Sequence, residues 1–181
     1  MNYATIKNCD IANGPGIRVS LFVSGCTHRC KGCFNQVAWD FSYGQPFTDN
    51  TIDGILTMLA PDHIKGLTIL GGEPFEPQNQ AAVLPLLRLI KKHYPEKTVW
   101  AYSGYVFDRD ILAGSLGDWE TTAEYISYLD VLVDGPFVEG KKDLTLRFRG
   151  SSNQRIIDVP KSLAEGKTVL WQDWQGSKRG I

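Results

Sequence analysis

The stretch Ile17-Arg-Val-Ser-Leu-Phe-Val23-Ser24-Gly25-Cys26-Thr-His-Arg-Cys30-Lys-Gly-Cys33 joins an apolar run to a dense cysteine loop. The apolar residues have strand length, and Ser24-Gly25 ends them. The cysteines follow with the spacing Cys-x3-Cys-x2-Cys, on a loop leaving a strand. A compact loop with three thiolates suits a cubane iron–sulfur cluster. Such clusters are normally held by four cysteines, so three leave one iron free to bind a small molecule.

Outward from this stretch, strand-like and helix-like runs alternate. Residues 50–59 predict a helix capped by Asn50, with Ile52, Ile55, Leu56 and Leu59 on one face. Residues 67–70 form an apolar strand ended by Gly71-Gly72. Residues 79–93 are helical in pattern, and Pro85 implies a kink or a later start. Residues 97–102 read as a strand stopped by Ser103-Gly104, 119–129 as a helix, and 130–134 as a strand before Gly135-Pro136. Repeated strand–helix units imply parallel strands with right-handed crossovers. A closed eight-fold barrel takes about 250 residues, so an α/β fold with an open, partial TIM-like barrel of about five or six units is expected. One domain spans 1–181, with a C-terminal extension of unassigned role from about 156. After Gly140 the chain turns basic and less periodic, as a tail or an added hairpin. Active sites of such sheets lie at the carboxyl ends of the strands. The cysteine loop, Gly71-Gly72-Glu73, Ser103-Gly104 and Asp134 all fall there, which points to one shared site.

Composition excludes several classes. A net charge of −1 gives no general case for nucleic acid or acidic lipid. No apolar run approaches the length that spans a bilayer, and the N-terminus lacks a secretory pattern. Free cysteines without a secretion signal point to the cytoplasm. Zinc held by Cys26, His28, Cys30 and Cys33 is a rival, but structural zinc sites usually pair two separated ligand couples. Disulfides, with Cys9 as the fourth thiol, suit shorter secreted chains. Cys9 alone reads as a small buried hydrophobe.

The string from Gly14-Pro15-Gly16-Ile17-Arg18 through the cysteines to Phe34-Asn35 resembles the radical S-adenosylmethionine enzymes, and within them the glycyl-radical activases. Many members of the superfamily carry an aromatic residue before the third cysteine, where this chain has Gly32 and places Phe34 after it. That Gly-Cys-aromatic-Asn order, with Arg149-Gly-Ser-Ser-Asn-Gln154, is similar to the activases of anaerobic ribonucleotide reductase. The resemblance covers about residues 10–155 and leaves Trp171 and Trp174 unassigned.

The resemblance implies a [4Fe–4S] cluster on Cys26, Cys30 and Cys33, and S-adenosylmethionine bound by Gly32, Cys33, Phe34, Gly71, Gly72, Glu73, Ser103 and Asp134. In it, Gly72 and Glu73 hold the methionine end, Ser103 faces the ribose or carboxylate, and Asp134 bonds the ribose hydroxyls. No acid–base residue is expected. Asp134 also reads as a simple turn cap, and Arg18 as a solvated residue, a partner for a carboxylate or a support for the cysteine loop. The implied activity is reductive cleavage of S-adenosylmethionine to a 5′-deoxyadenosyl radical, which installs a glycyl radical on anaerobic ribonucleoside-triphosphate reductase. The implied partners are that reductase and a low-potential donor such as flavodoxin, and a homodimer is left open. Activation of another glycyl-radical enzyme, chemistry on a small molecule, and a non-enzymatic iron–sulfur or zinc module remain alternatives.

Overall fold

The computed structural model describes residues 1–172. Seven strands form one sheet: β1 (Asn2–Asp10), β2 (Ile17–Val23), β3 (Gln45–Pro46), β4 (Ile64–Gly71), β5 (Thr98–Tyr102), β6 (Val131–Asp134) and β7 (Arg155–Asp158). Their order is β3-β1-β2-β4-β5-β6-β7, and the sheet is open. The helices are α1 (Asp49–Leu59), α2 (Pro77–His93), α3 (Trp119–Ser127) and α4 (Val159–Glu165).

Only β2, β4, β5 and β6 run parallel, joined by crossovers through α1, α2 and α3. The expected five or six βα units are therefore three crossovers, flanked by antiparallel strands. The reason is connection length. The six residues between β1 and β2 are too few for a crossover, so this pair is a hairpin. At the other edge β7 returns antiparallel to β6.

Two helix starts differ from the expected ones. Thr48, not Asn50, precedes α1, and its backbone N–H donates to Thr51 Oγ1 at 3.2 Å. α2 begins at Pro77, whose missing N–H costs nothing in the first turn, and it continues through Pro85.

Alternation along the strands divides the sheet into two faces. Val19, Leu21, Val23, Leu67, Ile69, Val99, Ala101 and Leu132 pack into the main core with the helices. The other face carries Arg18, Thr68, Trp100 and Tyr102. Arg18 is neither solvated nor on the cysteine loop, as it is 1% exposed. It donates to Thr68 Oγ1, Thr98 Oγ1 and the Leu67 and Thr98 carbonyls at 2.7–2.9 Å, and lies over the Trp100 ring. Burial pulls its pKa down to about 10. Phe148 and Trp171 pack edge-on against Trp100. The stretch from residue 156 thus contributes most of β7, α4 and part of the cover of this face. Trp174 lies outside the described residues.

Candidate functional site

Because β2 and β4 are parallel neighbours, the cysteine loop and the Gly71-Gly72-Glu73 loop leave the sheet side by side. Hydrogen bonding continues past the strand ends. Gly72 N–H donates to Val23 O at 2.7 Å and Glu73 N–H to Gly25 O at 2.8 Å. The Asn79 amide, fully buried at the start of α2, donates to Ser24 O at 3.0 Å and to Glu73 O at 2.9 Å. The roots of both loops are therefore fixed to one another.

The loops enclose a cavity at the carboxyl ends of β2, β4 and β5. Cys26, Cys30, Cys33, Phe34, Gly71, Gly72, Glu73 and Ser103 line it, together with His28, Tyr102 and Gly104. Two expected residues stand apart. Gly32 backs onto Glu139, whose Oε1 would lie 2.9 Å from an added Cβ. Asp134 is buried beside the cavity, with its oxygens accepting from Phe107 N–H at 2.7 Å and from the Arg155 guanidinium. Both oxygens bond within the protein, so Asp134 anchors β7 to the turn at Phe107, the cap-like role its strand-end position also suggests.

Glu73 is 1% exposed and bonded on both oxygens. Oε1 accepts from Phe75 N–H at 2.8 Å and Ser103 Oγ at 2.9 Å. Oε2 accepts from Gly104 N–H at 2.7 Å and meets His28 Nε2 at 2.9 Å. Burial alone would pull the His28 pKa down, but the bond to Glu73 and the charges of Glu73, Glu76 and Asp110 together outweigh it, and the net shift is upward. The His28 ring also packs edge-on against Tyr105.

A second carboxylate was not legible in the sequence. Glu76 is 6% exposed, and its Oε1 accepts from the Thr27 N–H at 2.8 Å and the Thr27 hydroxyl at 2.6 Å. Two carboxylates of one loop thus grip the consecutive residues Thr27 and His28 just after Cys26. Hydrogen bonds to charged groups contribute about 1.5–3 kcal/mol each. Glu76→Ala should release the loop and cut iron retained per chain to less than about half, with faster loss to a chelator. Glu76→Gln, which can still accept, should retain more.

Burial pushes the Cys26 thiol up to about 11 and raises Cys30 as well. Such thiols ionise when metal charge offsets their desolvation. Among the described residues, no three His, Cys, Asp or Glu side chains converge on one point as a single ion requires. A zinc ion shared by Cys26, His28, Cys30 and Cys33 lacks that convergence, and His28 Nε2 is turned to Glu73. A cubane asks for something different: separate thiolates on separate irons around one cavity. The three cysteines fit that demand.

A family model described as a 4Fe-4S single cluster domain matches residues 12–157. A protein of Enterobacteria phage T4 is 41% identical over 156 residues, covering 86% of this chain and 93% of its own. It is named anaerobic ribonucleoside-triphosphate reductase-activating protein. The chain belongs to this family. Proteins of the same name from Pasteurella multocida and Escherichia coli K12 are each 42% identical over 158 residues, covering 86% of this chain and 96% and 97% of their own. The span matched by the family model contains the whole cysteine loop, both carboxylates and Ser103. It begins after β1 and ends within β7.

Proposed function

We propose that this protein is a radical S-adenosylmethionine oxidoreductase that activates anaerobic ribonucleoside-triphosphate reductase. The observation that carries this reading is the sharing of one strand-end cavity by three cysteines and the Gly-Gly-Glu loop. The curated relatives are named as activating proteins of that reductase, which supports the partner. The fold reads as an open partial barrel reduced to three crossovers.

In this reading, Cys26, Cys30 and Cys33 hold three irons of a [4Fe–4S] cluster. When bound, the cluster supplies one-electron reductive cleavage of S-adenosylmethionine to methionine and a 5′-deoxyadenosyl radical. Glu73 and the backbone of Gly72 receive the methionine ammonium, with His28 sharing the Glu73 oxygen. Ser103 and Gly104 border the same pocket. That chemistry would let a glycine α-carbon of the reductase lose a hydrogen atom to the 5′-deoxyadenosyl group, giving 5′-deoxyadenosine and a carbon radical stabilised by its flanking amides. No side chain needs to move a proton. Among the described residues no helix is long and apolar enough to cross a membrane. A cytoplasmic setting suits the exposed thiol of Cys9 and an oxygen-sensitive cluster.

The test combines the reduced protein, S-adenosylmethionine and the reductase under anaerobic conditions. A glycyl radical doublet should appear by electron paramagnetic resonance, and it should vanish when the reductase glycine is replaced. Cofactor cleavage with no radical on the reductase, together with turnover of a small molecule, would refute the assignment.

A further inference from the structure

Charge is segregated in this chain. The cysteine loop, residues 26–35, carries Arg29 and Lys31 and no acid. Residues 137–150 add Lys141, Lys142, Arg147 and Arg149 against Glu139 and Asp143. The two segments together hold six cations and two acids, a net of +4. The whole chain is −1, so the remainder is −5.

The fold brings these segments together. Lys31 Nζ lies 3.6 Å from Glu139 Oε2, and Gly32 packs directly on the Glu139 side chain. The Cys30 thiol is within reach of the Phe137 backbone N–H. Lys142 and Arg149 line a groove with Gly32 and Phe34. Arg29, Lys31, Lys141 and Lys142 are all exposed. Cations therefore crowd the outer side of the loop that carries Cys30 and Cys33, while Glu73 and Ser103 form the inner wall of the cavity.

We infer that this basic face docks an acidic one-electron carrier protein, which delivers its electron to the cluster. The inference rests on the reading above, in which a cluster sits on this loop. Electron transfer between proteins falls steeply with distance, so the carrier must approach the cysteine loop itself. The substrate glycine must instead enter the cavity, which leaves the outer side for the donor. Weak electron-transfer encounters use small interfaces and depend on charge steering. A cationic face on an otherwise acidic chain steers an acidic partner to one orientation. The step balances simply: the carrier is oxidised by one electron and the cluster reduced by one, with no bond made or broken.

The test uses the reconstituted full chain with Lys141→Glu/Lys142→Glu, two exposed residues that do not line the cysteine cavity. Reduced flavodoxin is the carrier, and bleaching of the cluster absorbance is followed by stopped flow. Electrostatic steering changes on-rates by about 10- to 1000-fold at low salt. The double variant should be reduced at least about tenfold more slowly at low ionic strength. The gap should close at about 1 M salt, where the Debye length is about 3 Å. Iron content and reduction by dithionite should match wild type, and Lys→Arg at both positions should restore the rate. Wild-type reduction of the charge-reversed protein by flavodoxin overturns the inference. So does unchanged flavodoxin reduction combined with lost binding to the reductase, which would assign the face to that partner. Wild-type protein that accepts the carrier's electron but never cleaves S-adenosylmethionine keeps the docking face and removes the proposed function.

Discussion

Replacement of any one of Cys26, Cys30 or Cys33 by Ala should abolish cluster assembly, whereas Cys9→Ala should leave it intact. Wild-type protein reconstituted without oxygen should hold about four irons and four sulfides per chain. The contrast among the thiols is geometric. Three line one cavity beside Glu73, and Cys9 is exposed on β1, outside that cavity. Each of the three carries one iron in the proposed site, so two thiolates cannot retain the cubane that already lacks a fourth protein ligand. Iron and sulfide analysis with the absorbance of the reconstituted protein reads the result. Full loading of Cys30→Ala, or stoichiometric zinc with no iron uptake in wild type, would remove the ligand assignment.

The strands that position this site were legible because each is an apolar run cut off by glycine or serine. β2 spans the residues its pattern predicts, bounded by Gly16 and by Ser24-Gly25. The ends of β5 and β6 fall at Tyr102 and Asp134 as the pattern implies, while β4 starts three residues before the expected 67–70 and runs one residue past it. β1 gave no signal because Thr5, Lys7, Asn8 and Cys9 are exposed on an edge hairpin that buries little. β7 is four residues long and half polar, too short for periodicity to register.

The site divides in the same way. Cysteine spacing and Gly-Gly-Glu are local patterns, and both segments reach the cavity. Glu76, Asn79 and Thr27 act across 49 to 55 residues of sequence, and nothing local marks such pairs. Asp134 shows the converse. Its strand-end position was read correctly, but its partner Arg155 comes from a strand the sequence did not reveal.

Gly72→Val should disable both cofactor binding and cluster loading. From sequence alone the variant should spare the cluster, since its ligands lie on another loop. The structure changes that expectation. A Cβ on Gly72 would meet Gly25 O at 2.4 Å and Ala38 O at 2.9 Å. Both atoms are backbone, and neither can turn aside as the end of a side chain would. Gly25 is itself held: its N–H donates to Ala38 O at 2.8 Å, and its own Cβ position is filled by the Phe41 ring. Gly72 has no positive φ, so the demand here is for space and not for backbone freedom. Relief must come from moving the residue next to Cys26 or the Gly72–Glu73 turn. Overpacking of this kind costs about 1–3 kcal/mol, and here the displaced atoms are those that set the cysteine loop. Gly72→Ala should lose part of the iron and Gly72→Val most of it. Gly54→Ala is the control, since nothing lies within 4 Å of a Cβ there and the helix gains about 0.5–1 kcal/mol. Iron per chain, melting temperature and S-adenosylmethionine binding, measured on all three, separate the outcomes. A Gly72→Val protein with a full cluster and lost binding alone would show that the cysteine loop yields without harm, and that the close approach serves only the ligand.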